Sequence, residues 1–194
     1  MDRPCAVPYP VPARRLARAR PTVLWLTGRP AAGKTTIAKA TQAALDRLGR
    51  PCVVLDGDEL RRGLCSDLDL SDIDRLENVR RTAEVARLLC TQGTLVLAAL
   101  ISPYLAHRAL ARQIIGCDAF VEVFVDTPLA LAEARDPKGL YRLARSGMLN
   151  GLTGIDAPYQ APPAPQVRLA TGTLSCAGSV QSLLECLHRR AALA

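Results

Sequence analysis

At 194 residues the chain is long enough for one compact domain, or a domain with a small appendage, and too short for two full-size domains. With 49% hydrophobic and 22% charged residues it can bury a sizeable core, which excludes wholesale disorder, and its longest apolar run, Leu95 to Ile101, is far short of the roughly 20 residues that cross a bilayer. The net charge of +7 does not by itself make a nucleic-acid binder: residues 1–21 hold five Arg and one Asp and read as a solvated, flexible Arg/Pro-rich tail, while seven aromatic side chains are too few for a base-stacking platform. No apolar segment of a secretory signal follows the N-terminal arginines, and five prolines between Pro4 and Pro21 break any amphipathic transit helix, so the cytoplasm is the expected compartment. Seven cysteines, an odd number without a close pair, suggest neither a disulfide framework nor a zinc site.

From Thr22 onward, short apolar runs alternate with longer helical stretches, the pattern of βα units on a parallel sheet. Strands are expected at Thr22–Thr27, Cys52–Asp56, Thr94–Leu100, Phe120–Val125 and Gln166–Ala170. Their near-continuous apolar character suits strands buried on both faces. Helices are expected from Lys34 to Leu48, stopped by Gly49-Arg50-Pro51, and from the N-cap Ser71 to Gly93. Further helices fit Pro103–Ile115, Pro128–Glu133 and Ser179–Ala192. Between Asp136 and Pro165 stand four Gly and five Pro with little periodicity, which predicts a loop-rich lid.

Gly28-Arg29-Pro30-Ala31-Ala32-Gly33-Lys34-Thr35 matches GxxxxGK[ST] between an apolar strand and an amphipathic helix, the context this motif requires. Such a loop turns backbone N–H groups inward to cradle phosphate oxygens at a helix N-terminus. Lys34 then reaches the β and γ phosphates, and the Thr35 hydroxyl ligates Mg²⁺. Guanine-reading Asn-Lys-x-Asp is absent from the sequence, which counts against a GTPase.

The acceptor is read from what surrounds this loop. Asp56-Gly57-Asp58 ends the second strand, at the sheet edge where open α/β proteins bind ligands. The same tripeptide also makes an ordinary turn, but beside a phosphate loop the functional reading gains weight. Arg61, Arg62, Arg75, Arg80 and Arg81 follow, interleaved with Asp67, Glu77 and Asn78. Arg75 and Asn78 share one helix face by their spacing, and an Arg fork there implies an anionic acceptor. Arg81 and Arg87 fit a solvated face with ion pairs. Ile101-Ser102-Pro103-Tyr104 follows the third strand, and Lys138 opens the lid, able to swing onto phosphates on closure.

Together GRPAAGKTT, LDGDELRRGL, DRLENVRR, ISPY, FVDTP, EARDPKGLY and LTGIDAPYQAP, in this order and spacing, resemble adenylyl-sulfate kinase over about residues 22–170. The resemblance implies a nucleoside-monophosphate-kinase-like P-loop fold, a five-stranded parallel sheet flanked by helices with the lid at about 136–165, forming one kinase domain over 22–194. It implies transfer of the γ-phosphoryl group of Mg-ATP to the ribose 3′-hydroxyl of adenylyl sulfate. By this resemblance Gly28 to Thr36 and Arg135 bind ATP, with Arg135 near its base. Asp58 partners the 3′-hydroxyl, Asp56 lies near the metal with Thr35, and Lys138 stabilises the transferring group. Arg61, Arg75, Asn78 and the main chain at Ile101 contact adenylyl sulfate. Leu70 and Leu152 occupy positions where the family usually carries two aromatic rings that sandwich its adenine. Ser102 falls where a phosphoserine intermediate is sometimes described, although a loose phosphoryl-transfer transition state needs positioning more than a covalent stopover. His107 reads as a surface residue. The family's habit implies a homodimer, with ATP sulfurylase as a separate upstream enzyme. Two rival readings stand beside this one: a P-loop kinase for another anionic nucleotide or small hydroxyl acceptor, and a non-catalytic nucleotide-binding subunit of a sulfate-activating complex.

Overall fold

The computed structural model describes residues 20–192, so all of the expected tail except Arg20 and Pro21 lies outside the described residues. Five strands, β1 (Val23–Thr27), β2 (Cys52–Asp56), β3 (Leu95–Ala99), β4 (Phe120–Asp126) and β5 (Val167–Ala170), form one sheet in the order β2-β3-β1-β4-β5. Every pairing is parallel. Seven helices accompany them among the described residues: α1 (Lys34–Arg47), α2 (Gly57–Arg62), α3 (Asp72–Thr91), α4 (Leu105–Ile115), α5 (Leu129–Arg135), α6 (Leu140–Arg145) and α7 (Cys176–Ala192). Among the described residues no helix is long and apolar enough to cross a membrane.

The central strands carry apolar side chains at consecutive positions because both sheet faces are covered. On one face Leu24 and Leu26 pack with Ile37 and Leu45 of α1 and with Leu183 and Leu187 of α7. On the other, Val23 and Trp25 pack with Val79, Ala83 and Ala86 of α3 and with Ala111 and Ile115 of α4. Burial of each such leucine stabilises the fold by about 1.5–3 kcal/mol before entropy is counted. The edge strand β5 alternates buried and exposed residues, as a strand with only one neighbour can.

Two helices escaped the sequence patterns. Asp56 accepts a hydrogen bond from Asp58 N (3.0 Å) and thereby caps α2, so Asp-Gly-Asp is a strand end running into a helix rather than a turn. Inside the expected lid, Asp136 carboxylate oxygens accept from Tyr141 N (3.2 Å) and Arg142 N (3.0 Å), starting α6 at a stretch dense in Gly and Pro. A small core of Ala132 from α5 with Tyr141 and Leu152 joins the expected lid to that helix. His107, read as a surface residue, is instead 7% exposed: the first turn of α4 tucks its ring edge-on against Tyr104, with centroids 4.8 Å apart. Burial pushes its imidazole pKa down, and Nδ1 has no hydrogen-bond partner among the described residues.

Candidate active site

The loop from Gly28 to Thr35 runs off the C-terminal end of β1 into α1. Two glycines make this path feasible. A Cβ on Gly28 would stand 2.6 Å from the Val125 carbonyl oxygen of β4, and Gly33 takes φ +100°, which side-chain-bearing residues rarely adopt. Helix α1 has neither a side-chain cap nor an acidic residue in its first turn, so its leading N–H groups remain available to an anion. Lys34 is buried and donates to the carbonyls of Gly28 (2.9 Å) and Arg29 (2.7 Å). Burial pushes its pKa down to about 7, with Asp58 and Asp56 pulling it up and Lys138 pushing it down. A bound polyphosphate supplies the counter-charge that a buried ammonium needs. Next to it, Thr35 Oγ1 donates to Asp56 Oδ2 at 2.5 Å, joining the start of α1 to the end of β2.

A cavity of about 640 Å³ opens at this edge of the sheet. Pro30, Ala31, Ala32, Gly33, Lys34, Thr35 and Thr36 line one side, with Arg135 beyond them donating to the carbonyl oxygens of Thr171 (2.8 Å) and Ala32 (3.4 Å). Asp56, Asp58, Arg61, Leu70, Arg75, Asn78, Ile101 and Ser102 line the other side, with Lys138 of the lid at the mouth. Lys138 Nζ forms an ion pair with Asp58 Oδ2, and both side chains are more than half exposed. Asn78 is 5% exposed, and its Nδ2 is buried at the cavity wall, a donor with no partner among the described residues.

The arginines divide. Arg61 Nη1 donates to the carbonyls of Leu68 and Asp69 at 3.1 Å each, shaping the loop before α3. Arg75 is no free fork: Nε donates to Leu70 O (2.7 Å), Nη1 to Thr153 Oγ1 (2.7 Å) and Nη2 to Gly151 O (2.6 Å). It therefore ties the loop at Leu70 to the lid tail while each Nη keeps one N–H for a ligand. Arg81 pairs with Asp67 and Glu77, and Arg87 with Glu84, as expected of a solvated face. Arg62 and Arg80 do the same with Glu59 and Glu77.

Three of the expected site residues stand differently from the rest. Leu152 is not at the cavity: it is 7% exposed inside the lid core, whereas Leu70 lines the cavity and is 50% exposed. Arg29 turns away from the cavity, donating to Thr127 O (3.3 Å) and lying 5.5 Å over the Tyr159 ring. Ser102 is 3% exposed and accepts from the Trp25 indole Nε1 at 3.1 Å, an environment for holding a loop rather than for receiving a phosphoryl group. Sequence reading missed the groups behind this wall. Arg108 and Glu122 form a buried ion pair at 2.7 Å, and Gln160 Oε1 accepts from Leu105 N (2.8 Å) at the start of α4. The charge within the apolar run FVEVFV is the one signal that pointed there. Thr171, Leu174 and Ser179, beyond the end of β5, also line the cavity near Arg135 and carried no motif.

A phosphate loop at the C-terminal edge of a parallel sheet, an acidic pair at the end of β2 and a cationic lid facing them define a P-loop kinase. Comparison with known proteins agrees in fold: a gluconokinase from Sinorhizobium meliloti superposes with a TM-score of 0.59 at 17% identity, covering 91% of this chain and 97% of its own. The family model described as adenylylsulphate kinase matches residues 20–170, and the chain belongs to that family. It is 49% identical over 185 residues to the adenylyl-sulfate kinase of Enterobacter sp. (strain 638), covering 94% of this chain and 92% of the relative. The structure of the Mycobacterium tuberculosis APS kinase CysC in complex with AMPPNP and APS superposes with a TM-score of 0.83 at 46% identity, covering 87% of this chain and 98% of its own.

Proposed function

We propose that the protein transfers the γ-phosphoryl group of ATP to the ribose 3′-hydroxyl of adenylyl sulfate, giving ADP and 3′-phosphoadenylyl sulfate. The observation that carries this reading is the ion pair of Lys138 with Asp58 across the mouth of a cavity whose two walls suit two different anions. ATP lies with its phosphates on the Gly28–Thr36 loop and its base toward Arg135. Adenylyl sulfate lies against Arg61, Arg75, Asn78 and the main chain at Ile101, where the orphaned Asn78 Nδ2 finds its acceptor. The 3′-oxygen attacks the γ-phosphorus as the bond to the β,γ-bridging oxygen breaks, and Asp58 receives the hydroxyl proton. Lys138 exchanges the Asp58 carboxylate for phosphoryl oxygens and, with Lys34, neutralises charge spread over the transferring group. No covalent serine intermediate enters this path.

Mg²⁺ fits the adjoining Thr35 hydroxyl and Asp56 carboxylate, and it would draw charge from the β and γ phosphates. Among the described residues no group of three or more His, Cys, Asp or Glu could hold a metal ion, and nucleotide oxygens together with water would complete its shell. A homodimer, a separate ATP sulfurylase upstream and a cytoplasmic location complete the proposal. Coupled turnover with ATP and adenylyl sulfate, run against other hydroxyl-bearing nucleotides and sugars, tests it. Preference for adenylyl sulfate is expected. Faster turnover of another acceptor, or ATP binding without turnover, would refute it.

A further inference from the structure

Arg108 stands in the first turn of α4 with a side chain only 2% exposed, and its guanidinium is spent on three different elements. Nε donates to Glu122 Oε1 in the middle of β4 (2.7 Å), Nη1 to Ser102 O at the cavity wall (2.8 Å) and Nη2 to Gln160 O on the segment that returns from the lid (2.7 Å). The Ser102 main chain held in this way sits at φ +37°, a region that residues with a Cβ rarely occupy. Other bonds pin the same turn: Trp25 Nε1 to Ser102 Oγ at 3.1 Å and Thr27 Oγ1 to Ile101 O at 2.7 Å. The return segment is fixed alongside, with Gln160 N donating to Pro103 O (2.9 Å) and Tyr159 Oη meeting Thr27 Oγ1 (3.0 Å).

A buried ion pair is seldom more stabilising than well-packed apolar side chains of similar volume, so stability does not account for a charge sunk behind a ligand wall. What the planar fork does supply is fixed relative placement of its three acceptors, which no point charge can reproduce. We propose that Arg108 is a positioning residue for the acceptor nucleotide: it touches no substrate, but it holds the Ile101–Ser102 main chain in the strained conformation that adenylyl sulfate contacts and locks the lid's return segment to that wall. This rests on the acceptor assignment above.

The test is Arg108→Lys, which keeps a cation beside Glu122 and loses the fork, set against Glu122→Gln, which removes the ion pairs of Glu122 with Arg108 and Arg112 and leaves the Arg108 bonds to Ser102 and Gln160. Arg108→Lys raises KM for adenylyl sulfate by roughly tenfold or more while kcat and KM for ATP stay within about twofold, the signature of lost binding common to ground and transition states. Glu122→Gln lowers Tm with KM for adenylyl sulfate unchanged. Trp25 is the only tryptophan of the chain, so its emission in the nucleotide-free protein reports the Ser102 turn directly and shifts in Arg108→Lys but not in Glu122→Gln. Should Arg108→Lys not fold, the neutral pair Arg108→Gln with Glu122→Gln carries the same comparison, leaving only the partly exposed Arg112 without its Glu122 partner. Unchanged KM for adenylyl sulfate, or all kinetic constants moving together in both variants, overturns the proposal. A parent protein without turnover on adenylyl sulfate refutes the acceptor assignment alone, and the Trp25 emission then still decides whether Arg108 holds the turn.

Discussion

Lys34, Asp58 and Gly28 each put a different physical demand on the site. Lys34 has an ammonium held on two loop carbonyls, which phosphate replaces in the proposed function. Removing one preorganised charge of this kind costs about 10²–10³ in turnover, so Lys34→Ala should cut transfer by at least that factor in a coupled assay. Asp58→Asn should cut kcat by about 10²–10⁴ as a lost general base, with ATP binding by calorimetry nearly intact; a near-parental rate would remove Asp58 from the chemistry. At Gly28 the obstacle is backbone, since an added Cβ would meet Val125 O at 2.6 Å and Val125 Cβ at 3.3 Å, neither of which can swing aside. Gly28→Ala is therefore expected to cost about 1–3 kcal/mol and to lower both Tm and nucleotide affinity. The phosphate loop, the acidic pair and the two lysines were all legible in the sequence because each chemistry demands particular residues at short spacing. The environments of Ser102 and Arg29 were not, because what their side chains meet is contributed by Trp25, Thr127 and Tyr159 from distant parts of the chain.

At the scale of elements, the lid is a folded piece rather than a loose loop. Tyr141 of α6 is buried and donates to Pro30 O at 3.1 Å, coupling lid position to the phosphate loop. Leu152 packs beneath it in the lid core, while Leu70 faces the cavity from the other wall. The two leucines should therefore respond differently to an aromatic. Leu70→Phe gains a stacking surface worth roughly 1–3 kcal/mol toward a nucleobase and should lower KM for the acceptor. Leu152→Phe overfills a closed space at about 1–3 kcal/mol and should instead lower Tm. Equal gains in acceptor affinity from both would contradict this placement. In α3, Ser71 caps the helix by accepting from Asp74 N at 3.2 Å, and Ser71→Ala should cost about 1 kcal/mol in denaturant unfolding. That cap was readable from Ser71 and the helical run after it. Helices α2 and α6 were not, because each is only six residues long and its first amides are met by an Asp, the cap Asp56 in one and Asp136 of the preceding turn in the other, whose role depends on the strand end or turn before it.

For the whole molecule, tight burial sets a limit on alkaline stability. Burial pushes the phenols of Tyr141 and Tyr159 up to about 12, against an ordinary value near 10. Below pH 10 both folded and unfolded chains keep these protons and nothing is lost. Between pH 10 and 12 the unfolded chain releases them first, so stability falls as pH rises through this window. Thermal unfolding across that range, followed with phenolate absorbance, should show Tyr ionisation coinciding with unfolding, and Tyr159→Phe should flatten the decline. The positions of the five strands along the chain, the two-sided core and the phosphate loop were determined by the sequence itself, since unbroken apolar runs, turn residues and glycine spacing act over a few neighbours. Tertiary structure alone decided which charges and rings face inward: the Arg108–Glu122 pair, the buried His107, Leu152 within the lid, and Arg75 spent on the main chain of two loops. A side chain's surroundings there depend on sheet register and on the rotation of a helix against it, and neither is set until elements far apart in the chain have packed.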